Sequence, residues 1–176
     1  QVKSLETFRG RELPYAPHGS PAVAVLRALQ RDGRESIAFK PYEPQQLALM
    51  LLSGRLESAL VPEPLVTSLL AKVEGLRVVE SVEDVYGRST DGPARMPIAG
   101  MAVNTRTAEK HPRVIEKIMA AVLEEAGKMQ RNPQAGVDAL PDTFEVFMTK
   151  DKILESLERD IVLVVPAVEA REEIRT

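Results

Sequence analysis

The sequence predicts an α/β protein built around a parallel sheet. Short apolar runs alternate with amphipathic, helix-like runs over the first hundred residues, and Gly or Pro stands at most of the junctions between them. The order strand, helix, strand, helix, strand within this length forms a right-handed parallel unit by default. We therefore expect a βαβαβ unit at the start of the chain.

The first strand and helix are predicted at about 12–16 and 21–31. Gly19-Ser20 forms the turn between them, and the apolar residues Val23, Val25, Leu26 and Leu29 repeat with helical spacing. Asp32-Gly33 then breaks the chain. The alternation of polar and apolar residues at 36–40 predicts the second strand.

The second helix starts at Glu43-Pro44, because Pro is tolerated in the first turn, and Gly54 is placed to cap its end. The short apolar run 57–62 predicts a buried third strand. A third helix through about Lys72 and a fourth strand at 76–80 complete the first half.

The second half is mostly helical. Loop-forming residues fill 86–97, and an apolar strand is expected at 98–103. Residues 112–131 form a long amphipathic helix that begins at His111-Pro112 and stops at Asn132-Pro133. Further elements are expected in the remainder: helix 152–159, strand-like run 161–165 and helix 167–174. The predicted domains are 8–97 and 98–176.

Composition excludes several classes of function. The 176 residues carry a net charge of −3 with Lys and Arg spread along the chain, so there is no basic stripe for nucleic acid. Cysteine is absent, which removes thiol catalysis and disulfides. His18 and His111 lie far apart, and no catalytic or nucleotide-binding motif is present. We expect neither an enzyme nor a cofactor.

Four motifs in order resemble the type 2 periplasmic binding proteins, in particular the nitrate/sulfonate/taurine-like and thiamine-precursor-like substrate-binding proteins of ABC importers. A basic-Gly-basic phrase introduces the first strand, and the strand ends in Gly-Ser. A later strand ends in Glu-Pro, and a Lys-His-Pro helix start leads to an Asn-Pro end. The matching segments are Phe8-Arg9-Gly10-Arg11, Gly19-Ser20, Glu63-Pro64, Lys110-His111-Pro112 and Asn132-Pro133.

The resemblance implies one periplasmic-binding-protein type 2 lobe, a hinge return strand, and C-terminal helices of a second lobe whose opening strand has no counterpart before Gln1. It implies a small anionic or heteroaromatic ligand held in a cleft between two lobes, and closure recognised by a membrane permease. It also implies a periplasmic or lipoprotein-anchored location. An incomplete lobe leads us to expect that the isolated chain self-associates or is unstable.

The candidate ligand site is the turn His18-Gly19-Ser20. Gly19 lets a ligand approach the backbone, and Ser20 either caps the helix or donates its hydroxyl to an anionic head group. His18 either donates to the same ligand or is a solvated loop residue. Glu63 either accepts from a ligand N–H or caps the third helix.

Two aromatic and two basic residues are weaker candidates. Tyr15 and Tyr42 lie near the ends of the first two strands and either stack on a ligand ring or fill the core. Arg88 and Arg95 either clamp an anion or are solvated. Three alternatives to transport remain: a scaffold that has lost its ligand, a ligand-sensing regulatory domain of the same fold, and an enzyme similar to thiamine-pyrimidine synthases.

Overall fold

The computed structural model describes residues 2–30, 36–90, 95–141, 148–160, 163–171 and 174. The chain divides into two compact units, Gln1–Ile98 and Ala99–Thr176. It is a helix-rich α/β protein with a small parallel sheet in the first unit. Residues 8–97 as a ligand-binding lobe, and residues 98–176 as a hinge strand with helices of a second lobe, stay a prediction.

The sheet pairs β1 (Glu12–Tyr15) with β2 (Ala38–Pro41) in parallel, with Leu13 opposite Phe39 and Tyr15 opposite Pro41. On the other side of β1, Leu60 forms a single parallel bridge with Tyr15. The predicted third strand at 57–62 is therefore wrong as a full strand. Pro62 lacks an N–H, and residues such as Glu and Ser are poor strand formers, so pairing stops at one residue.

In the described part of this unit, five helices accompany the sheet. They are a 3-10 turn at Leu5–Phe8, α1 (Pro21–Leu29), α2 (Pro44–Leu52), α3 (Leu65–Leu70) and α4 (Val82–Thr90). Pro occupies the first turn of both α1 and α2, as predicted. The predicted cap at Gly54 is confirmed: its φ is +69°, and its N–H donates to the Leu51 carbonyl at 3.1 Å.

The core of the first unit lies between the sheet and α1. One buried cluster contains Leu13 and Tyr15 from β1, Val23 and Leu26 from α1, and Ile37 and Phe39 around β2. Tyr15 packs edge-to-face on Phe39 with ring centroids 6.3 Å apart. The alternation of buried residues on β2 and the helical spacing on α1 follow the sequence pattern.

Two predictions for residues 76–97 are wrong. Residues 76–80 pair with no strand among the described residues, and the predicted loop from 86 is helical as far as Thr90. The Ser81 hydroxyl accepts from the Asp84 N–H at 3.0 Å, so a serine cap starts α4. Glu83 and Asp84 favour its first turn. The Asp32-Gly33 break and residues 91–94 lie outside the described residues.

The second unit contains α5 (Thr105–Lys110), α6 (Pro112–Arg131), α7 (Pro133–Asp138) and α8 (Lys150–Arg159). The predicted helix 112–131 is confirmed at both ends. Asn132 ends it and starts α7, where its side chain accepts from the Ala135 N–H at 3.2 Å. None of the helices in the described ranges has the length and apolarity of a membrane span.

The predicted hinge strand at 98–103 is wrong: among the described residues these six are exposed and pair with no strand. Residues 163–165 form no strand, and 167–169 form a turn instead of the start of a helix. Residues 161–162 and 172–173 lie outside the described ranges. An apolar run supplies only the tendency to pair, and a strand also needs a partner edge.

Candidate functional site

Three chain segments leave the sheet at the same edge of the first unit. Tyr15 is level with Pro41 on one side and with Leu60 on the other. The Tyr42 N–H donates to the Tyr15 carbonyl at 2.8 Å, and the Ala16 N–H donates to the Leu60 carbonyl at 3.1 Å. Because the segments run parallel, their carboxyl ends meet, and this is the edge where open α/β sheets bind ligands.

The turn that follows β1 holds Gly19 in a conformation that favours glycine. Its φ is +76°, and no heavy atom lies within 4 Å of the position that a Cβ would take. The Ser20 N–H donates to the Pro17 carbonyl at 3.2 Å, which closes the turn. The turn is therefore fixed by its own main chain, and the space beside Gly19 is open.

Ser20 occupies the N-cap position of α1, but its hydroxyl makes no capping hydrogen bond. Its carbonyl accepts from the N–H groups of Val23 and Ala24 at 3.1 and 3.2 Å. The main chain of Ser20 starts the helix, and the side chain does not. The expectation that the hydroxyl caps the helix is wrong, and the hydroxyl is available for other contacts.

His18 is exposed in the same turn, three residues before the first residue of α1. Glu63 is half-buried beyond Leu60, and its Oε2 accepts from the N–H of the fully buried Thr67 at 3.1 Å. Glu63 therefore caps the start of α3, which is one of the two roles predicted for it. Its carboxylate stands at the end of the third segment, on the same edge of the sheet as the Gly19 turn.

The two tyrosines differ in their surroundings. Tyr15 is only 3% exposed and its ring packs in the core, so it supports the edge from beneath instead of stacking on a ligand. Tyr42 is half-buried directly after β2. Of the two tyrosines, Tyr42 is the one whose side chain is partly accessible at this edge.

A cation that the sequence reasoning missed lies two residues before Tyr42. The Lys40 ammonium donates to the Glu12 carboxylate across the β1–β2 pair at 3.1 Å. This hydrogen bond, with the charges of Glu12 and Tyr42, raises the pKa of Lys40. Only the strand register shows the pair, because the residues are far apart in sequence.

The two predicted clamp arginines do not form a pair at this edge. Arg88 lies on α4, where its guanidinium donates to the Glu80 carboxylate, and Arg95 is exposed. In the part of the chain that the structure describes, no group of three or more His, Asp or Glu side chains is arranged to hold a metal ion.

The chain matches no protein-family model, and neither curated proteins nor solved structures include a significant match to it. The geometry alone thus defines the candidate site: a polar turn, an aromatic residue and a carboxylate at the carboxyl edge of a parallel α/β sheet. Similarity to known proteins therefore adds no catalytic or binding motif to this description.

Proposed function

We propose that the first unit binds a small anionic or heteroaromatic solute at the carboxyl edge of its sheet. We further propose that the protein is the substrate-binding component of an ABC-type importer, and that this unit is a lobe of the type 2 periplasmic-binding-protein fold. The observation that carries the proposal is the open Gly19-Ser20 turn at the point where three parallel segments end.

An anionic group suits the turn because it lies at the positive end of α1. In the described residues, the main-chain N–H groups of Gly19 and Ala22 take part in no hydrogen bond. The hydroxyl of Ser20 adds a third donor that the helix does not use. Three donors and a helix N-terminus favour a carboxylate, sulfonate or phosphate head group.

The remaining residues suit the organic part of a solute. Tyr42 offers an aromatic face. Glu63 Oε1 is buried and Oε2 accepts from the Thr67 N–H, so a ligand amine or ring N–H would reach this carboxylate only at Oε2. In the transport hypothesis a second lobe closes over the bound solute, and a membrane permease recognises the closed form outside the cytoplasm. The open space beside Gly19 favours solute binding over the scaffold alternative.

A matched pair of glycine variants tests the proposal. Gly19 and Gly54 have φ values of +76° and +69°, and both have open space around them, so alanine strains the two positions alike. The probes are inorganic phosphate, ethanesulfonate, acetate and an aminopyrimidine, each titrated into the full chain by calorimetry.

We expect at least one probe to bind. Gly19→Ala should weaken it at least about tenfold, because the added methyl group occupies the approach to the backbone donors. Gly54→Ala should leave the affinity unchanged while lowering the free energy of unfolding as much as Gly19→Ala does. Equal affinities for the two variants would contradict the proposed site, and binding of none of the probes would contradict the anion and pyrimidine classes.

A further inference from the structure

An open groove of about 860 Å³ in the second unit is lined by residues of α6 and α7. Much of its lining is small and apolar, with Val122 and Ala126 on α6 and Ala135 and Gly136 on α7. Met129 is the largest apolar side chain in this lining. We call it the α6–α7 groove. It lies outside the unit that contains the candidate ligand site.

The Met129 side chain packs directly against the main chain of Gly136. A Cβ added to Gly136 would lie 3.1 Å from Cε and 3.3 Å from Cγ of Met129. The sulfur is bonded to both of these atoms, so the thioether lies over the glycine, where an added methyl group would crowd it. This contact and the Asn132 cap join α7 to the end of α6.

Met129 is also accessible from solvent. It is 38% exposed, and only Met101 and Met119, at 68% and 43%, are more exposed among the methionines of the chain. Neither of those two lines the groove. Met129 therefore combines an accessible thioether with a place in helix packing, so that oxidation of its sulfur acts on the structure.

Hydrogen peroxide is the reagent that suits such a thioether. A lone pair of the sulfur attacks one peroxide oxygen, and the S–O bond forms as the O–O bond breaks. The proton on the transferred oxygen passes to the leaving oxygen, which departs as water. The sulfur is oxidised and the peroxide is reduced by the same electron pair. The product, methionine sulfoxide, is polar where the thioether was apolar.

The side chains of the groove favour the thioether over the sulfoxide. Its alanines offer no hydrogen-bond donor, and Glu125, one turn before Met129 on the same face of α6, carries a carboxylate that only accepts. The Lys128 ammonium already donates to the carboxylates of Glu124 and Glu125 at 2.8 and 2.9 Å. A sulfoxide oxygen over Gly136 is therefore better satisfied by water, and Met129 reaches water by leaving the glycine.

We propose that Met129 is a site of reversible oxidation by peroxide, and that its sulfoxide releases α7 from α6. Val137 on α7 is fully buried, so the release loosens the packing of the second unit. Reduction of the sulfoxide by a methionine sulfoxide reductase restores the thioether and with it the contact on Gly136.

Graded treatment of the full chain with hydrogen peroxide tests this site. Peptide mass spectrometry locates the sulfoxides, and amide hydrogen exchange of α7 is measured on the same samples. Met129→Leu keeps an apolar side chain of similar volume but has no sulfur to oxidise. The matched controls are Met101→Leu and Met119→Leu, because both residues are more exposed than Met129 and neither lines the groove.

We expect Met129 to be oxidised at peroxide concentrations that spare the buried Met96, and the α7 amides then to exchange at least about tenfold faster. The reductase should reverse this change. Met129→Leu should abolish the acceleration although Met101 and Met119 are still oxidised, whereas the two controls should retain it.

Three results would overturn the proposal. The first is an acceleration that persists in Met129→Leu or disappears in either control. The second is oxidation of Met129 that is no faster than that of Met96. The third is a sulfoxide at Met129 that leaves the exchange of α7 unchanged.

Discussion

Gly19 and Ser20 carry most of the proposed chemistry, and each is placed by a different physical cause. The positive φ of Gly19 shapes the turn. Ser20 starts α1 through its carbonyl, so its hydroxyl is not needed for helix stability. This distinction between a main-chain role and a side-chain role can be measured by substitution.

Replacing Ser20 by alanine should leave the free energy of unfolding within about 0.5 kcal/mol of the wild type, because no capping bond is lost. Ser81→Ala in the same unit should cost about 1 kcal/mol, because the Ser81 hydroxyl caps α4 through the Asp84 N–H. Urea unfolding of both variants checks this pair. A loss at Ser20 as large as that at Ser81 would mean that the Ser20 hydroxyl does cap α1.

At the scale of single elements, α2 shows how a helix is positioned by one face. Leu47 is completely buried against the unit, whereas Leu49, two residues further along the same helix, is 65% exposed. The two side chains are chemically identical and point in different directions, as the helical period requires. Their contributions to stability should differ accordingly.

Leu47→Ala should lower the free energy of unfolding by about 2–5 kcal/mol, because it removes buried methyl groups and leaves a cavity. Leu49→Ala should change it by less than about 0.5 kcal/mol. Denaturant unfolding of the two variants compares the two faces directly. Similar losses at both positions would show that α2 does not pack through the Leu47 face.

The helix α6 carries a pH-dependent ion pair. The Lys128 ammonium lies 2.8 Å from the Glu124 carboxylate and 2.9 Å from that of Glu125. The hydrogen bond from Lys128 and its charge lower the pKa of Glu124 from its ordinary 4.5. A lowered folded-state pKa stabilises the helix above the unfolded pKa, and this stabilisation is lost as the pH falls through the folded pKa.

We therefore expect Lys128→Met to reduce the helical circular dichroism of the full chain at neutral pH. The difference from the wild type should then close as the pH falls from 4.5 through the lowered pKa of Glu124, where the carboxylate of the folded chain becomes protonated. Lys117→Met on the same helix is the control, because no ion pair of Lys117 is found among the described residues. Its difference from the wild type should not depend on pH in this range. A pH-independent difference for Lys128→Met would contradict the assigned pair.

At the scale of the whole molecule, the sequence predicted the features that depend on local signals. The His111-Pro112 start and the Asn132-Pro133 end bound α6 as expected, and Gly54 ends α2. Each of these signals acts through a cap or a fixed φ within one turn of the chain. The general α/β class followed from the same alternation of strand-like and helix-like runs.

Features that depend on distant partners were predicted poorly. Residues 76–80 and 98–103 have strand-like composition but pair with no strand in the described part of the chain, because pairing is decided by the rest of the fold. At the candidate site the Gly19-Ser20 turn was found from the sequence. The burial of Tyr15 and the Lys40–Glu12 pair were not, because they follow from core packing and strand register.

Binding of a small solute at the carboxyl edge of the first unit's sheet is tested most directly by amide NMR of the full chain during titration with ethanesulfonate. We expect the largest shifts at the amides of Gly19, Ser20 and Ala22, with smaller shifts at Tyr42 and Glu63. The amides of Ala59 and Val61, which line a separate groove of the first unit, should not move at ligand concentrations that saturate the turn. Shifts confined to other parts of the chain, or no saturable shift at the Gly19-Ser20 turn, would contradict the proposed site.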